Sequence, residues 1–130
     1  MDKTQPPQSF GVFKPVGHTV IVFREEEHLQ KAIDALLQLG FANTALVRYT
    51  AQEMAEQAAA EQVAAGPLAG FGYELDLVKI HLGLAQEGCC FLVVEAPKSE
   101  QAEQVAEVAR TMQAHSAQHY GRFMIEEVIP

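Results

Sequence analysis

The stretch that decides the fold is Cys89-Cys90-Phe91-Leu92-Val93-Val94, the most apolar run in the chain. A second run, Thr19-Val20-Ile21-Val22-Phe23, is short, apolar and rich in β-branched residues. Short continuous apolar runs are typical of inner strands, because a strand buried on both faces has no solvated side. The two segments are therefore predicted to lie at the centre of a sheet.

Each of these strands is followed by a helical pattern and then by a strand that carries charge. The first helix is predicted to begin at Glu25-Glu26-Glu27, where the helix dipole favours negative charge, and to end at Gly40. The charged strands are Ala45–Tyr49 and Gly121–Ile129, and charge is typical of sheet edges. The sequence thus predicts an α+β, ferredoxin-like fold, in which two βαβ halves form a four-stranded antiparallel sheet in the order 4-1-3-2.

A helical insert, residues 50–87, joins the two halves. It opens with the capping box Thr50-Ala51-Gln52-Glu53, and its first helix is predicted to stop at Gly66-Pro67. The second part, Tyr73–Gln86, partly alternates as a strand does. A helix is preferred because the run is longer than a usual strand and because Val78 breaks the alternation.

Wound as a helix, Tyr73–Gln86 carries two apolar stripes, and His81 falls in the polar strip on one side between them. A helix that is apolar on two sides needs a packing partner on both. The inner strands pose a related problem, because the crossover helices cover one face of the sheet only. Either the insert covers the second face or another subunit does, and the pattern points to a homodimer or larger assembly, with a monomer closed by the insert as the alternative.

Composition limits the classes of partner. The 130 residues suit one domain, predicted as an N-terminal tail, residues 1–17, and an α+β domain, residues 18–130. Nine Lys plus Arg against 17 Asp plus Glu give a net charge of −8, which argues against nucleic-acid and anionic-membrane partners. No signal-peptide pattern and no apolar run of roughly 18 residues is seen, so the expected location is cytoplasmic.

The residues that merit inspection as site candidates are imidazoles and thiols. His115 and His119 have the four-residue spacing of two metal ligands on one helix face, although no acidic or Cys partner stands at a matching distance. Their preferred interpretation is as helix-end histidines near the negative pole of the dipole. His81 can carry a proton, but a place at the rim of an interface is preferred.

The two cysteines, Cys89 and Cys90, are adjacent, so on a strand they point to opposite faces and do not suit a disulfide. No Lys, Arg or His adjoins them to lower a thiol pKa. They are predicted to be buried and reduced. Glu126-Glu127 is interpreted as solvated charge at a strand end, and no catalytic residue or cofactor is predicted.

Two stretches resemble the general-stress-protein, YflT-like domains. One is Val20-Ile21-Val22-Phe23 with the acidic helix start and the segment through Leu39-Gly40-Phe41. The other is Leu84-Ala85-Gln86-Glu87-Gly88 leading into Phe91-Leu92-Val93-Val94 and an Ala-rich helix. The resemblance implies a small ferredoxin-like domain and carries over no catalytic residue.

Three functional hypotheses follow. The leading one is a non-catalytic cytoplasmic domain, stress-associated by resemblance, that self-associates or binds a partner. The second is a sensor that binds a small molecule of unknown identity or a metal. The third is an enzyme similar to the dimeric α+β-barrel proteins, for which His18 or His81 would have to point into a closed cavity.

Overall fold

The structure, a computed structural model, describes residues 8–9, 12–13, 16–57, 73–121 and 125–129. These residues form an α+β arrangement, as predicted. Its strands are β1 (Gln8–Ser9), β2 (Val12–Phe13), β3 (His18–Phe23), β4 (Leu46–Tyr49), β5 (Cys90–Glu95), β6 (Ser116–Tyr120) and β7 (Ile125–Ile129). Its helices are α1 (Glu26–Gln38), α2 (51–57 of the described residues), α3 (Tyr73–Gln86) and α4 (Ser99–Thr111).

The main sheet has five antiparallel strands in the order β4-β5-β3-β6-β7. The central strands β3 and β5 are the two apolar runs, and β4 and β7 are the edges. The sheet therefore has one strand more than the predicted four, and its order differs from 4-1-3-2 because a strand is inserted between the first and the fourth predicted strands. The additional strand is β6, which lies between β3 and β7.

The segment that became β6 was predicted as the end of a helix. Instead α4 ends at Thr111, and Gln113 adopts a left-handed φ of 59° that turns the chain. The amide of His115 then donates to the carbonyl of Val22, which attaches the returning chain to β3. The ladder with β3 satisfies backbone groups that would otherwise be unpaired beside a buried strand, so tertiary pairing outweighs local helical preference.

One face of the sheet is covered by the crossover helices α1 and α4. Leu29 and Leu36 of α1 and Val105 of α4 pack there against alternate residues of β3 and β5, including Ile21 and Leu92. The glycine after α1, Gly40, has φ 101° and supplies the left-handed turn that the sequence predicts. This layer is the ordinary core of a βαβ pair.

The insert covers the second face, where Val20, Val22, Phe91 and Val93 point away from α1 and α4. Met54 of α2 and Leu84 and Ala85 of α3 complete this second apolar layer. The helix prediction for Tyr73–Gln86 is confirmed, and so is the capping box, because the Thr50 amide donates to Glu53 Oε1 at 2.9 Å and the Glu53 amide donates to Thr50 Oγ1 at 3.1 Å.

The two predicted stripes of α3 match the buried side only in part, because Leu84 and Ala85, one from each stripe, are buried whereas other positions differ. His81, predicted in a polar strip, faces the sheet and is 3% exposed, while the apolar Ile80 is 51% exposed. The insert packs on the second face of the sheet. The dimer was predicted from an uncovered second face, and it stays a prediction. The Gly66-Pro67 stop lies outside the described residues.

The segment before β3 is attached to the sheet by its last residues. The Gly17 amide donates to the Tyr120 carbonyl at 2.7 Å, and the Gly17 carbonyl accepts from the Ala96 amide at 2.9 Å. Strands β1 and β2 pair with each other, and β2 contacts α3. Among the described helices, none has the length and apolar character needed to cross a membrane.

Candidate binding cleft between α4 and β7

A cleft of about 500 Å³ opens between α4 and the outer strands of the sheet. Helix α4 contacts β3, β6 and β7, and the cleft lies where the helix faces β6 and β7. One stripe of α4 forms one wall, and β6 with β7 form the other. The lining residues are Pro97, Ser99, Ala102, Glu103, Ala106, Arg110, His119, Glu126, Glu127 and Val128.

His119 brings an imidazole to the cleft from β6. It stands opposite Thr19 of β3 and Glu126 of β7 in the ladder. Its Nδ1 atom is hydrogen-bonded to Thr19 Oγ1 at 2.8 Å, and Thr19 is only 1% exposed. This bond fixes the orientation of the half-buried ring.

The surroundings of His119 favour its neutral form. Burial lowers its pKa from the ordinary value and is the largest cause, with a further lowering by His18 and an opposing increase by Glu126. A neutral imidazole can either donate or accept one hydrogen bond at each nitrogen. With Nδ1 engaged by Thr19, the remaining polar function of the ring is that of Nε2.

Acidic groups dominate the charge of the cleft. Three glutamates are among its lining residues, Glu103 of α4 and Glu126 and Glu127 of β7, and the Glu127 carboxylate is bonded to Gln118. The one cation among the lining residues is Arg110, whose Nη2 already lies 3.3 Å from Oε2 of Glu107. The cleft therefore suits a positively charged group better than an anion.

The two adjacent glutamates of β7 point to opposite faces of the sheet, next to a β-bulge. Ala117 pairs with Ile129 but Gln118 pairs with Glu127, so that β7 contains one extra residue at this point. Bulges commonly re-aim side chains at sheet edges. Glu127 pairs with Gln118, and its carboxylate accepts a hydrogen bond from this residue of the insert side, whereas Glu126 pairs with His119 of the cleft.

Gln118 connects this edge to a buried imidazole. Its Nε2 donates to Glu127 Oε2 at 3.4 Å, and its Oε1 accepts from Nε2 of His81 at 3.3 Å. The His81 ring also makes an edge contact with Phe91, with centroids 5.7 Å apart. Burial lowers the pKa of His81 to about 4 despite the hydrogen bond from Gln118, which acts in the opposite direction. His81 is thus a neutral member of the second core layer and not a rim residue.

The candidate imidazoles are dispersed. His115 is exposed in the turn after α4 and His119 lies in β6, so the premise that they share one helix face is wrong. His18 is buried in β3, where its Nδ1 donates to the Val16 carbonyl at 3.0 Å and its Nε2 lies 3.7 Å from Glu95 Oε2. Neither His18 nor His81 lines the cleft, and within the described ranges no group of three or more potential metal ligands is found.

The cysteines lie in the sheet as free, buried thiols. Burial is the largest cause that raises the pKa of both Cys89 and Cys90. The Cys90 thiol donates to the Phe23 carbonyl at 3.5 Å. Both thiols are therefore poor nucleophiles in this fold.

The sequence interpretation missed the cleft because it missed β6. Glu126-Glu127 was identified as a charge pair, but its neighbours His119, Glu103 and Arg110 come together only when β6 pairs with β3 and β7. The segment Ser116–Tyr120 carries no clear local strand signal, because Gln118 and His119 interrupt any alternation. Comparison with protein-family models, with curated proteins and with solved structures finds no match to this chain.

Proposed function

We propose that this chain is a non-catalytic binding domain that recognises a positively charged group in the cleft between α4 and β7. The observation that carries the proposal is the acidic lining of this cleft, where Glu103 and Glu126 stand with one arginine, Arg110, that is already paired with Glu107. His119 adds an oriented hydrogen-bonding group. The net charge of −8 adds a field that attracts cations from a distance.

The absence of an activated nucleophile among the described residues of the cleft supports a binding role. The thiols are buried on other parts of the sheet, and the Thr19 hydroxyl is buried and bonded to His119. An acid–base enzyme is the second candidate, and it would rest on His119, the one imidazole that lines the cleft. The lowered pKa of His119 is the observation that favours it.

We also infer that the architecture is ferredoxin-like with one strand appended. Without β7, the remaining strands have the order β4-β5-β3-β6, which is the order of two βαβ halves. Strand β7 then pairs with β6. The resemblance to the YflT-like domains, the stress association, the cytoplasmic location and the homodimer stay predictions.

The binding role is tested by a nuclear magnetic resonance titration of the chain with Nα-acetyl-lysine-N-methylamide, which carries a single cationic side chain. Saturable shifts are expected at the amides of His119, Glu126 and Val128, and they should weaken with salt because the contact is electrostatic. The uncharged Nα-acetyl-norleucine-N-methylamide has a similar shape and should cause no such shifts.

Two variants with the same charge change provide the matched comparison. Glu103→Gln removes a carboxylate that lines the cleft, and Glu100→Gln removes an exposed one on the same helix outside the lining residues. Loss of the titration in the first variant and its retention in the second is expected. Equal behaviour of the two variants, or no saturable shift in the parent, would overturn the proposed function.

A further inference from the structure

The outer edge of β7 has hydrogen-bonding capacity that the sheet does not use. Strand β7 pairs with β6, and on its other side no described strand pairs with it. An edge strand presents alternate backbone N–H and C=O groups outwards, and such a row is a template for a further strand. The same edge forms one wall of the acidic cleft.

The dimensions of this edge suit a short extended segment. Strand β7 has five residues, which correspond to about 17 Å of extended chain. A segment added beside it would project every second side chain towards the α4 side of the sheet. Those side chains would meet Glu126 of β7 and Glu103 of α4, both of which line the cleft.

The charge of β7 distinguishes between two possible partners for its outer edge, a second copy of this chain and a basic segment of another protein. If two copies of the chain paired antiparallel through the full length of β7, the Glu127 carboxylates of the two copies would stand opposite each other. Like charges in directly opposite positions destabilise strand pairs. A basic segment would instead place cations on the α4 side beside Glu126 and Glu103, so charge complementarity favours a different, basic partner over a second copy.

We propose that β7 takes up an extended basic segment of a partner protein as a sixth strand, with alternate Lys or Arg side chains directed into the cleft. The inference rests on the proposed function, because it specifies which cationic ligand the cleft recognises. Backbone pairing along β7 supplies the mode of binding. The carboxylates of Glu103 and Glu126 supply the selectivity for basic side chains.

The test uses a capped peptide in which Lys alternates with Val over seven residues, together with two N-methylated forms. One form is methylated at the amides of the Lys residues and the other at the amides of the Val residues. In an antiparallel edge pair, the amides of one set point to β7 and those of the other set point to solvent. One form should therefore bind at least about tenfold more weakly than the parent peptide, and the other within about threefold of it.

Chemical shifts of the intact chain report both the affinity and the place of binding. The amides of Ile125–Ile129 should show the largest changes, and a peptide in which Glu replaces every Lys should not bind. If both methylated forms bind as well as the parent peptide, charge alone holds the peptide and strand addition is overturned. If Nα-acetyl-lysine-N-methylamide binds but the peptide does not, strand addition is overturned while the proposed function stands. If neither ligand binds, strand addition and the proposed function are both overturned.

Discussion

At the scale of single residues, His81 and His119 share one property, a pKa lowered chiefly by burial. His81 is the more buried of the two and lies between Gln118 and Phe91 in an otherwise apolar layer. A buried imidazole avoids charge because the charged form loses its hydration. Its hydrogen bond from Nε2 to Gln118 is consistent with the neutral ring.

This burial predicts a loss of stability in acid. The imidazole of His81 has a pKa of about 4 in the folded chain and an ordinary value of 6.5 in the unfolded chain. The unfolded chain therefore binds more protons between pH 6.5 and 4, so the free energy of unfolding falls as the pH falls through this window. The contribution of His81 to the loss between pH 7 and pH 4 is about 3 kcal/mol.

Denaturant unfolding of the parent, His81→Gln and His115→Gln at several pH values measures this contribution. Gln at position 81 cannot titrate but retains a donor for Gln118, so its unfolding free energy should depend less on pH between 6.5 and 4. The His115 variant is the control, because this side chain is exposed, and it should follow the parent. An unchanged pH dependence in His81→Gln would contradict the assignment.

The bond between Thr19 and His119 predicts a second residue-scale effect. Thr19→Val keeps the branched shape of the side chain but removes the hydroxyl that holds His119 Nδ1 at 2.8 Å. The free energy of unfolding should fall by about 1 kcal/mol, and ¹⁵N spectra of the ring should show a changed distribution of its tautomers. Thr111→Val, at an exposed position at the end of α4, should change stability by less than about 0.5 kcal/mol.

At the scale of elements, the insert is the cover of the second sheet face. Met54 of α2 is 1% exposed and belongs to the same cluster as Val22 and Phe91. Met54 directly follows the capping box, so the local signal that starts α2 also places a residue that packs on the distant sheet. The box fixes where α2 begins, and thereby which side of its first turn meets the sheet.

Met54→Ala tests whether the insert is an integral part of the core. Removal of this buried side chain should lower the free energy of unfolding by about 2–5 kcal/mol. Leu37→Ala is the control, because Leu37 of α1 is 40% exposed, and it should cost less than about 1 kcal/mol. Similar losses in the two variants would show that α2 does not hold Met54 against the sheet in solution.

The elements also show where sequence reasoning succeeds. The apolar runs of β3 and β5, the acidic start of α1, the left-handed Gly40 and the Thr50–Glu53 box are local signals, and all of them are confirmed. Strand β6 is the failure. Ser116–Tyr120 has little local strand character, and its conformation comes from pairing with β3 on one side and β7 on the other.

At the scale of the whole molecule, the sheet has a protected centre and two exposed edges. Val20, Ile21, Val22 and Phe23 of β3 are fully buried, and β3 has a partner strand on each side. Opening this strand requires disruption of both core layers. The edge strand β7 has a described partner on one side and two exposed glutamates in its middle.

Native-state hydrogen exchange should therefore differ between the central strand β3 and the edge strand β7. The amides of Val20–Phe23 are expected to exchange only through global unfolding, whereas the outward amides of Ile125–Ile129 should exchange through local opening with a much smaller free energy. Exchange of both groups with the same free energy would indicate that β7 opens only with the whole domain. Addition of the alternating Lys–Val peptide should slow exchange in β7 selectively if a sixth strand forms.

The apolar run Cys89–Val94, together with Thr19–Phe23, determined that this chain forms a sheet with a buried centre. It did so because a continuous apolar strand is stable only when both faces are covered. What covers the second face, the presence of β6 and the meeting of His119, Glu103 and Glu126 at one cleft were decided by the tertiary structure alone. The reason is physical, since each of these features depends on contacts between segments distant in the chain, and such contacts leave no periodic pattern within any one segment.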